Sequence, residues 1–196
     1  MSVLFSYEEA LGYCVGDVVA DKDGVSAAAV FVEMAGELLG IGCTVHSYLQ
    51  SLHAKYGQFI SYNSYLTCHV PAVIDAIFSR LRKGGPYGGY WHSCGGVRIV
   101  STKDVTLGYD SASYDKTSDL PTTKDSNMIM YEFANGCSVT LRTSGTEPKI
   151  KFYTEIAGNR SNPRSKYELE KELKIFVDAL INEFLQPDLN NLVRSS

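Results

Sequence analysis

The chain has 196 residues, of which 18 are lysine or arginine and 22 are aspartate or glutamate, so its formal net charge is −4. A hydrophobic fraction of 44% and a charged fraction of 20% are typical of a folded globular protein and exclude an intrinsically disordered chain. The acidic balance argues against a generally basic surface that binds nucleic acid. We therefore expect one or two compact domains and no nucleic acid among the partners.

No apolar run reaches the length of about 20 residues that a membrane-spanning helix needs. The amino terminus lacks the basic start and long apolar core of a signal peptide. The five cysteines are scattered and include no CxxC pair, which argues against a disulfide scaffold or a zinc ribbon. We therefore expect reduced thiols, a cytoplasmic location and no membrane among the partners.

Residues 1–57 are predicted to form an incomplete α/β segment. A short strand is expected from Asp17 to Ala20. Apolar residues then recur at helical spacing from Val25 to Leu39, and a second helix is expected from residue 44 or 46 to Tyr56. One strand and two helices cannot easily close a core alone, so this segment is predicted to be the tail of a larger α/β sugar-binding domain.

Residues 58–196 are predicted to form a C-terminal α+β domain. Runs rich in aromatic and β-branched residues predict strands over residues 59–68, 97–102, 128–133, 138–141 and 149–156. Helices are expected from Pro71 to the glycine-rich segment 84–89 and from Lys166 to Phe184, and the tail to Ser196 is expected to fray. This order predicts the fold class α+β, with a mostly antiparallel sheet and helices on one face.

The most informative stretch is RTSGTEPKIK, which begins at Arg142. The small residues Ser144, Gly145 and Thr146 allow backbone N–H groups to converge on an anion. The guanidinium of Arg142 can hold two phosphate oxygens, and Lys151 adds positive charge. The alternative is a hairpin loop whose hydroxyl groups only satisfy its own backbone.

RTSGTEPKIK resembles the phosphate-binding loop in the C-terminal domain of the α-D-phosphohexomutases, the phosphoglucomutase and phosphomannomutase superfamily. Two more segments agree in the right order: FSYEEALGY, from Phe5, resembles the sugar-binding loop of the third domain, and DKDGV, from Asp21, resembles the charged turn that follows it. LGYD, from Leu107, and FANG, from Phe133, are similar to the phosphoglucomutase-2/phosphopentomutase branch. The resemblance covers essentially the whole chain, and it implies the end of the third domain plus the fourth domain.

The resemblance implies that eight residues bind substrate. The loop residues match those that hold the phosphate that is not transferred. Glu8 matches a carboxylate that accepts hydrogen bonds from sugar hydroxyls, Glu9 supports it, and Lys22 matches a lysine of the substrate pocket. The implied site residues are Glu8, Glu9, Lys22, Arg142, Ser144, Gly145, Thr146 and Lys151. From the residues alone, Glu8 and Glu9 also fit a solvated acidic turn, and Lys22 an ion pair with Asp21 or Asp23.

The resemblance also implies that the catalytic residues lie outside this chain. The family transfers phosphate through a phosphoserine in a TASHNP-like segment and binds Mg²⁺ with a DGDxD run, and neither segment is present. The implied function is the sugar-phosphate-binding C-terminal part of a phosphoglucomutase or phosphopentomutase. Such an enzyme is an intramolecular phosphotransferase that acts on a glucose or pentose monophosphate through a sugar bisphosphate intermediate. We expect no catalytic residue and no metal ligand in this chain, no activity of the chain alone, and Mg²⁺ only in the full-length enzyme.

A non-catalytic phosphosugar-binding or regulatory module is the alternative function, because it would keep the loop without the chemistry. The sequence does not choose among glucose, ribose, deoxyribose and mannose phosphates. The incomplete first segment implies an apolar face on the helix from Val25 to Leu39, so we also expect self-association through this segment.

Overall fold

The structure is a computed structural model that describes residues 3–8, 11–85, 88–123, 125–158 and 164–195. The chain divides into two compact units, Met1–Tyr56 and Gly57–Ser196. Gly57 begins the second unit with a φ of +102°, and a Cβ atom there would collide with the carbonyl oxygen of Gly158. Only glycine therefore fits this position.

The first unit contains a two-stranded hairpin. Strand β1, Phe5–Glu8, pairs antiparallel with β2, Gly12–Val15. The strand predicted from Asp17 to Ala20 was wrong, because the chain bends there instead of extending. Gly16 ends β2 with a φ of +73°, and Val18 is 90% exposed with no neighbouring strand to pair with in the described residues.

Two helices complete the first unit: α1 spans Gly24–Gly40, and α2 spans Val45–Tyr56. The side chain of Asp23 caps α1 by accepting two backbone N–H groups of its first turn. Leu38 is the one residue of α1 that is buried. Its exposed large apolar residues are Val25, Val30, Phe31, Val32 and Leu39. In the described ranges no single helix is long and apolar enough to cross a membrane; α1 and α2, bent by 90°, pass that test only as a pair.

The second unit is built on an antiparallel sheet. Its strands are β3 (Phe59–Thr67), β4 (Ser93–Cys94), β5 (Val97–Asp104), β6 (Tyr109–Asp110), β7 (Met128–Phe133), β8 (Cys137–Thr143), β9 (Lys149–Ala157) and β10 (Val193–Arg194). Their order is β10-β3-β9-β8-β7-β5-β4, and β6 pairs with β5. The long strands match the predicted runs, whereas β4, β6 and β10 were not predicted. The expected α+β class with a mostly antiparallel sheet is confirmed.

Helices α3 (Pro71–Lys83) and α4 (Lys166–Leu180) pack on one face of this sheet. Alternate strand residues such as Leu141 and Phe152 are buried on that face, in one core with both helices. The other sheet face has no helix over it in the described residues and carries mostly polar side chains. We call this side of the sheet the open face. It carries the strand residues that alternate with the buried ones, and cations of the candidate site project from it.

The last segment differs from the prediction at two points. Regular helix ends at Leu180, and a π-helical turn, Ile181–Leu185, precedes the short helix α5, Pro187–Asn190. The tail does not fray as expected, because β10 pairs with the edge of β3 and the N–H group of Ser195 donates to Tyr65 O. The free backbone groups of an edge strand provide these partners.

Candidate functional site

The register of β8 and β9 places two cations side by side. Arg142 pairs directly with Lys151, and directly paired residues in an antiparallel sheet project from the same face. Their neighbours Leu141 and Phe152 are buried beneath the helices. Arg142 and Lys151 therefore project from the open face, and alternation places Lys149 there as well.

The side chains of Arg142 and Lys151 form no ion pair and no hydrogen bond with any residue that the structure describes. The guanidinium of Arg142 lies over the ring of Tyr153, 5.9 Å from its centroid. The flat face of the guanidinium contacts the ring and stays against the sheet. Its N–H groups have no protein acceptor in the described ranges. Both charges are available to an external anion.

Lys149 is already neutralised. Its Nζ lies 2.7 Å from Oε1 of Glu147 and 4.0 Å from the ring centroid of Tyr65. The hydrogen bond from Lys149 lowers the pKa of Glu147, and the same bond raises the pKa of Lys149. Glu147 thus forms an ion pair with Lys149, and its charge also interacts with that of Lys151.

The loop between β8 and β9 is fixed at its base. The N–H group of Ser144 donates to Lys149 O at 3.0 Å, and that of Cys68 donates to Pro148 O at 2.8 Å. Three consecutive backbone N–H groups make no hydrogen bond to any described residue, those of Gly145, Thr146 and Glu147. The tip of the loop therefore offers free donors on a fixed base, as an anion-binding turn requires.

The hydroxyl groups of Ser144 and Thr146 also make no hydrogen bond within the described ranges. The alternative that these hydroxyls merely satisfy the backbone of their own loop therefore does not apply. Thr143 behaves differently, because its Oγ1 accepts the N–H group of Asn127 at 3.0 Å while its own N–H group donates to Asn127 O at 2.9 Å.

Asn127 is a contact that the sequence analysis missed. It lies directly before β7, and its Oδ1 accepts a hydrogen bond from Nη1 of Arg82 at 2.8 Å. The sequence shows only that Asn127 lies next to a predicted strand, and this position does not indicate what its side chain contacts.

In the first unit the structure brings Glu8 and Lys22 together. Nζ of Lys22 lies 2.9 Å from Oε2 of Glu8, both side chains are about half exposed, and a cleft of about 310 Å³ includes them. A side chain at Gly12 would collide with the aliphatic chain of Lys22, so glycine lets this lysine cross β2. The hydrogen bond and charge of Glu8 raise the pKa of Lys22.

The ion pair weighed for Lys22 with Asp21 or Asp23 was wrong, since Glu8 is its partner. Asp23 instead caps α1, and the hydrogen bond from the Ser26 hydroxyl group lowers its pKa. Glu9 lies outside the described residues.

The described residues do not fit a Mg²⁺ site. They contain no group of three or more His, Cys, Asp or Glu side chains placed to hold a metal ion. In the Asp21-Lys22-Asp23 turn a lysine separates the carboxylates, and the Asp23 oxygens already accept hydrogen bonds at the start of α1. Mg²⁺ prefers an octahedral set of oxygen ligands, which this turn does not supply.

The chain is similar in sequence to several known enzymes. It is 47% identical to human glucose 1,6-bisphosphate synthase and 41% identical to human phosphopentomutase, each over 191 residues. It is also 32% identical to the phosphoribomutase of Saccharomyces cerevisiae. The chain is a homologue of the C-terminal part of these enzymes. The resemblance to the α-D-phosphohexomutase superfamily is thereby confirmed, although no family model matches the chain.

The homologous region is about a third of each relative. The alignments with the two human enzymes cover 97% of this chain but 30% and 31% of those proteins. The fold agrees: the open form of parafusin, a phosphoglucomutase from Paramecium, matches 92% of this chain and 31% of its own with a TM-score of 0.56. At 14% identity that match concerns the fold alone.

Gly145 is not required by the backbone of this phosphohexomutase homologue. Its φ is not in the left-handed region, and a Cβ atom would meet no atom within 4 Å. We expect Gly145→Ala to keep the free energy of unfolding or to raise it by up to about 1 kcal/mol, because alanine restricts the unfolded chain. Gly57→Ala is the control, since its φ and the collision with Gly158 should make it destabilising. Urea unfolding measures both, and a clear loss for Gly145→Ala would mean that this glycine serves the fold.

Proposed function

We propose that this chain is the sugar-phosphate-binding part of a phosphoglucomutase or phosphopentomutase, and that the loop after β8 holds the phosphate that is not transferred. The observation that carries the proposal is the pair Arg142 and Lys151, adjacent on the open face and in no ion pair with a described residue. Sugar-phosphate enzymes among the homologues support the substrate class.

The chemistry of the loop suits a phosphate dianion. The planar fork of Arg142 can donate to two phosphate oxygens, whereas Lys151 acts as a point charge. The free N–H groups of the loop tip add donors, and the hydroxyl groups of Ser144 and Thr146 add two more. The absence of a Cβ atom at Gly145 leaves room for the ligand to approach the backbone.

The first unit supplies complementary chemistry. An ionised carboxylate only accepts hydrogen bonds, so Glu8 would accept them from sugar hydroxyl groups and distinguish their positions. The Lys22 contact orients this carboxylate and can itself donate to the sugar or to its phosphate. The proposal therefore assigns an uncharged polyol to the Glu8–Lys22 pair and an anion to the loop.

In the intact enzyme, a phosphoserine outside this chain would pass its phosphoryl group to one hydroxyl oxygen of the bound sugar monophosphate. The serine–phosphorus bond breaks as the new oxygen–phosphorus bond forms, and the hydroxyl proton leaves to a base. The resulting bisphosphate reorients, and the serine recovers a phosphoryl group from the other end. The loop must hold either phosphate while the opposite end reacts, so its contribution is positioning and remote binding energy.

Arg142→Ala tests the role of the loop. We expect binding of glucose 1-phosphate to weaken by about 2 to 4 kcal/mol, the cost of losing one partner of a charged hydrogen-bonded pair. Arg98→Ala is the matched control, because Arg98 is exposed on β5 in the same unit and lies outside the loop. Calorimetric titration measures both affinities, and equal binding by wild type and Arg142→Ala would refute the proposal.

A turnover assay tests where the chemistry resides. We expect this chain to convert glucose 1-phosphate at the background rate, because a binding loop without a phosphoserine has no phosphoryl group to exchange. Phosphoryl transfer above background would contradict this assignment. A gene product of about 21.6 kDa in cells would instead favour the non-catalytic phosphosugar-binding or regulatory module.

We propose that a second copy of the chain covers the apolar residues of α1. Phe31 is 53% exposed and Val32 67%, an unusual exposure for adjacent large apolar side chains on a helix. Phe31→Glu should reduce both self-association and the binding of a hydrophobic dye. Tyr114→Glu, at a fully exposed loop residue of the second unit, is the control. Sedimentation velocity decides, and a monomeric wild type that binds no dye would contradict the prediction.

A further inference from the structure

A buried ion pair lies directly behind the phosphate loop. Arg82, on α3, donates from Nε to Oδ2 of Asp104 at 2.6 Å and from Nη2 to Oδ1 at 3.3 Å. Asp104 is fully buried, and the side chain of Arg82 is 14% exposed. The hydroxyl group of Tyr90 donates to the same carboxylate at 2.9 Å. The carboxylate is therefore satisfied from two directions, which makes the pair a rigid element of the core.

The guanidinium of Arg82 makes one more hydrogen bond among the described residues, to a neighbour of the loop. Nη1 donates to Oδ1 of Asn127 at 2.8 Å. The backbone of Asn127 exchanges two hydrogen bonds with Thr143, one of them to the threonine hydroxyl. Direct contacts thus run from Asp104 through Arg82 and Asn127 to the residue between Arg142 and Ser144.

The threonine hydroxyl makes this connection specific. In a regular antiparallel ladder, the N–H group of Asn127 would donate to a backbone carbonyl group. Here Oγ1 of Thr143 takes that place, so the contact fixes the side chain of Thr143 where the chain leaves the sheet. The residues on either side, Arg142 and Ser144, begin the loop from this fixed point.

We propose that Arg82 is a positioning residue for phosphate binding: through Asn127 it holds Thr143, and so sets the direction of Arg142 and of the loop that follows. This inference rests on the function proposed above for that loop. This position requires arginine, because Nε and Nη2 donate to Asp104 and a third donor is needed for Asn127. A lysine could keep the charge but not this planar set of contacts.

Arg164 provides a matched control at the far end of the same strands. It pairs with Glu172 and donates from Nη2 to Ala157 O at 2.9 Å and to Asn135 O at 3.2 Å. Ala157 ends β9, and Asn135 lies in the turn before β8. Arg164 therefore also ties a carboxylate to the β8–β9 pair, but away from the phosphate loop.

The first experiment compares Arg82→Lys with Arg164→Lys. Both variants should lower the melting temperature, because both lose hydrogen bonds in partly buried networks. Affinity for inorganic phosphate and for glucose 1-phosphate is measured by calorimetry well below those temperatures. We expect Arg82→Lys to weaken both ligands about 5- to 30-fold and Arg164→Lys to change them less than about 2-fold. Equal affinities for wild type and Arg82→Lys would overturn the inference.

The second experiment changes Thr143, the last residue in this series of contacts. Thr143→Val removes the hydroxyl acceptor at similar volume, and Thr143→Ser keeps it. Thr143→Val should weaken phosphate binding as Arg82→Lys does. Thr143→Ser should bind phosphate as the wild type does. If Thr143→Val and Thr143→Ser bind phosphate equally, the hydroxyl contact has no positioning role.

A third measurement separates this inference from the proposed function. Hydrogen exchange of the Thr143 and Ser144 amide groups in the free protein needs no ligand. Arg82→Lys should speed their exchange, and Arg164→Lys should leave it unchanged. If wild type binds no phosphate but the exchange differs as expected, the proposed function fails while the positioning stands. Unchanged exchange in Arg82→Lys refutes the positioning itself.

Discussion

The antiparallel register that sets Arg142 opposite Lys151 is the constraint on which the candidate site depends. A slip of one residue in either strand would turn its cation toward the core, Arg142 in place of Leu141 or Lys151 in place of Phe152. Like charges directly opposite one another destabilise a strand pair, and no described carboxylate forms an ion pair with Arg142 or Lys151. The core thus imposes a local repulsion that an anion between the two side chains would relieve. The same pairing that buries the apolar side chains therefore brings the two cations together on the open face.

The two clusters differ in their net charge. Glu8 and Lys22 compensate one another, so this pair has no net charge and suits hydroxyl groups. In the loop, Glu147 compensates Lys149 and leaves two positive charges. Each unit thus contains a separate cluster of charged side chains.

Much of the second unit could be predicted because its long strands have local signals. Alternation in Lys149 to Ile156 and the apolar stripe after Lys166 are properties of the segments themselves. The short strands β4, β6 and β10 have two residues each and exist only because a partner strand is near. Val18 and Val19 show the opposite error: β-branched residues favour a strand, but no partner is available beside them in the described ranges.

For the site, sequence motifs found the residues that would touch a ligand, and the fold was needed to find those behind them. The RTSGT turn has a recognisable composition of small and hydroxyl-bearing residues. Arg82 and Asn127 are 45 positions apart, and no pattern in either segment indicates that they meet. Their contact arises from the packing of α3 against the sheet. Supporting residues of this kind are specified by tertiary structure alone.

The cationic pair sits in a chain whose formal net charge is −4. An anion that approaches the pair would therefore meet opposing fields: the net charge of the chain would repel it at long range, and the pair would attract it at close range. Dissolved salt screens interactions beyond about 8 Å at physiological ionic strength and affects contacts less. Moderate ionic strength should thus weaken the distant repulsion more than the attraction at the loop.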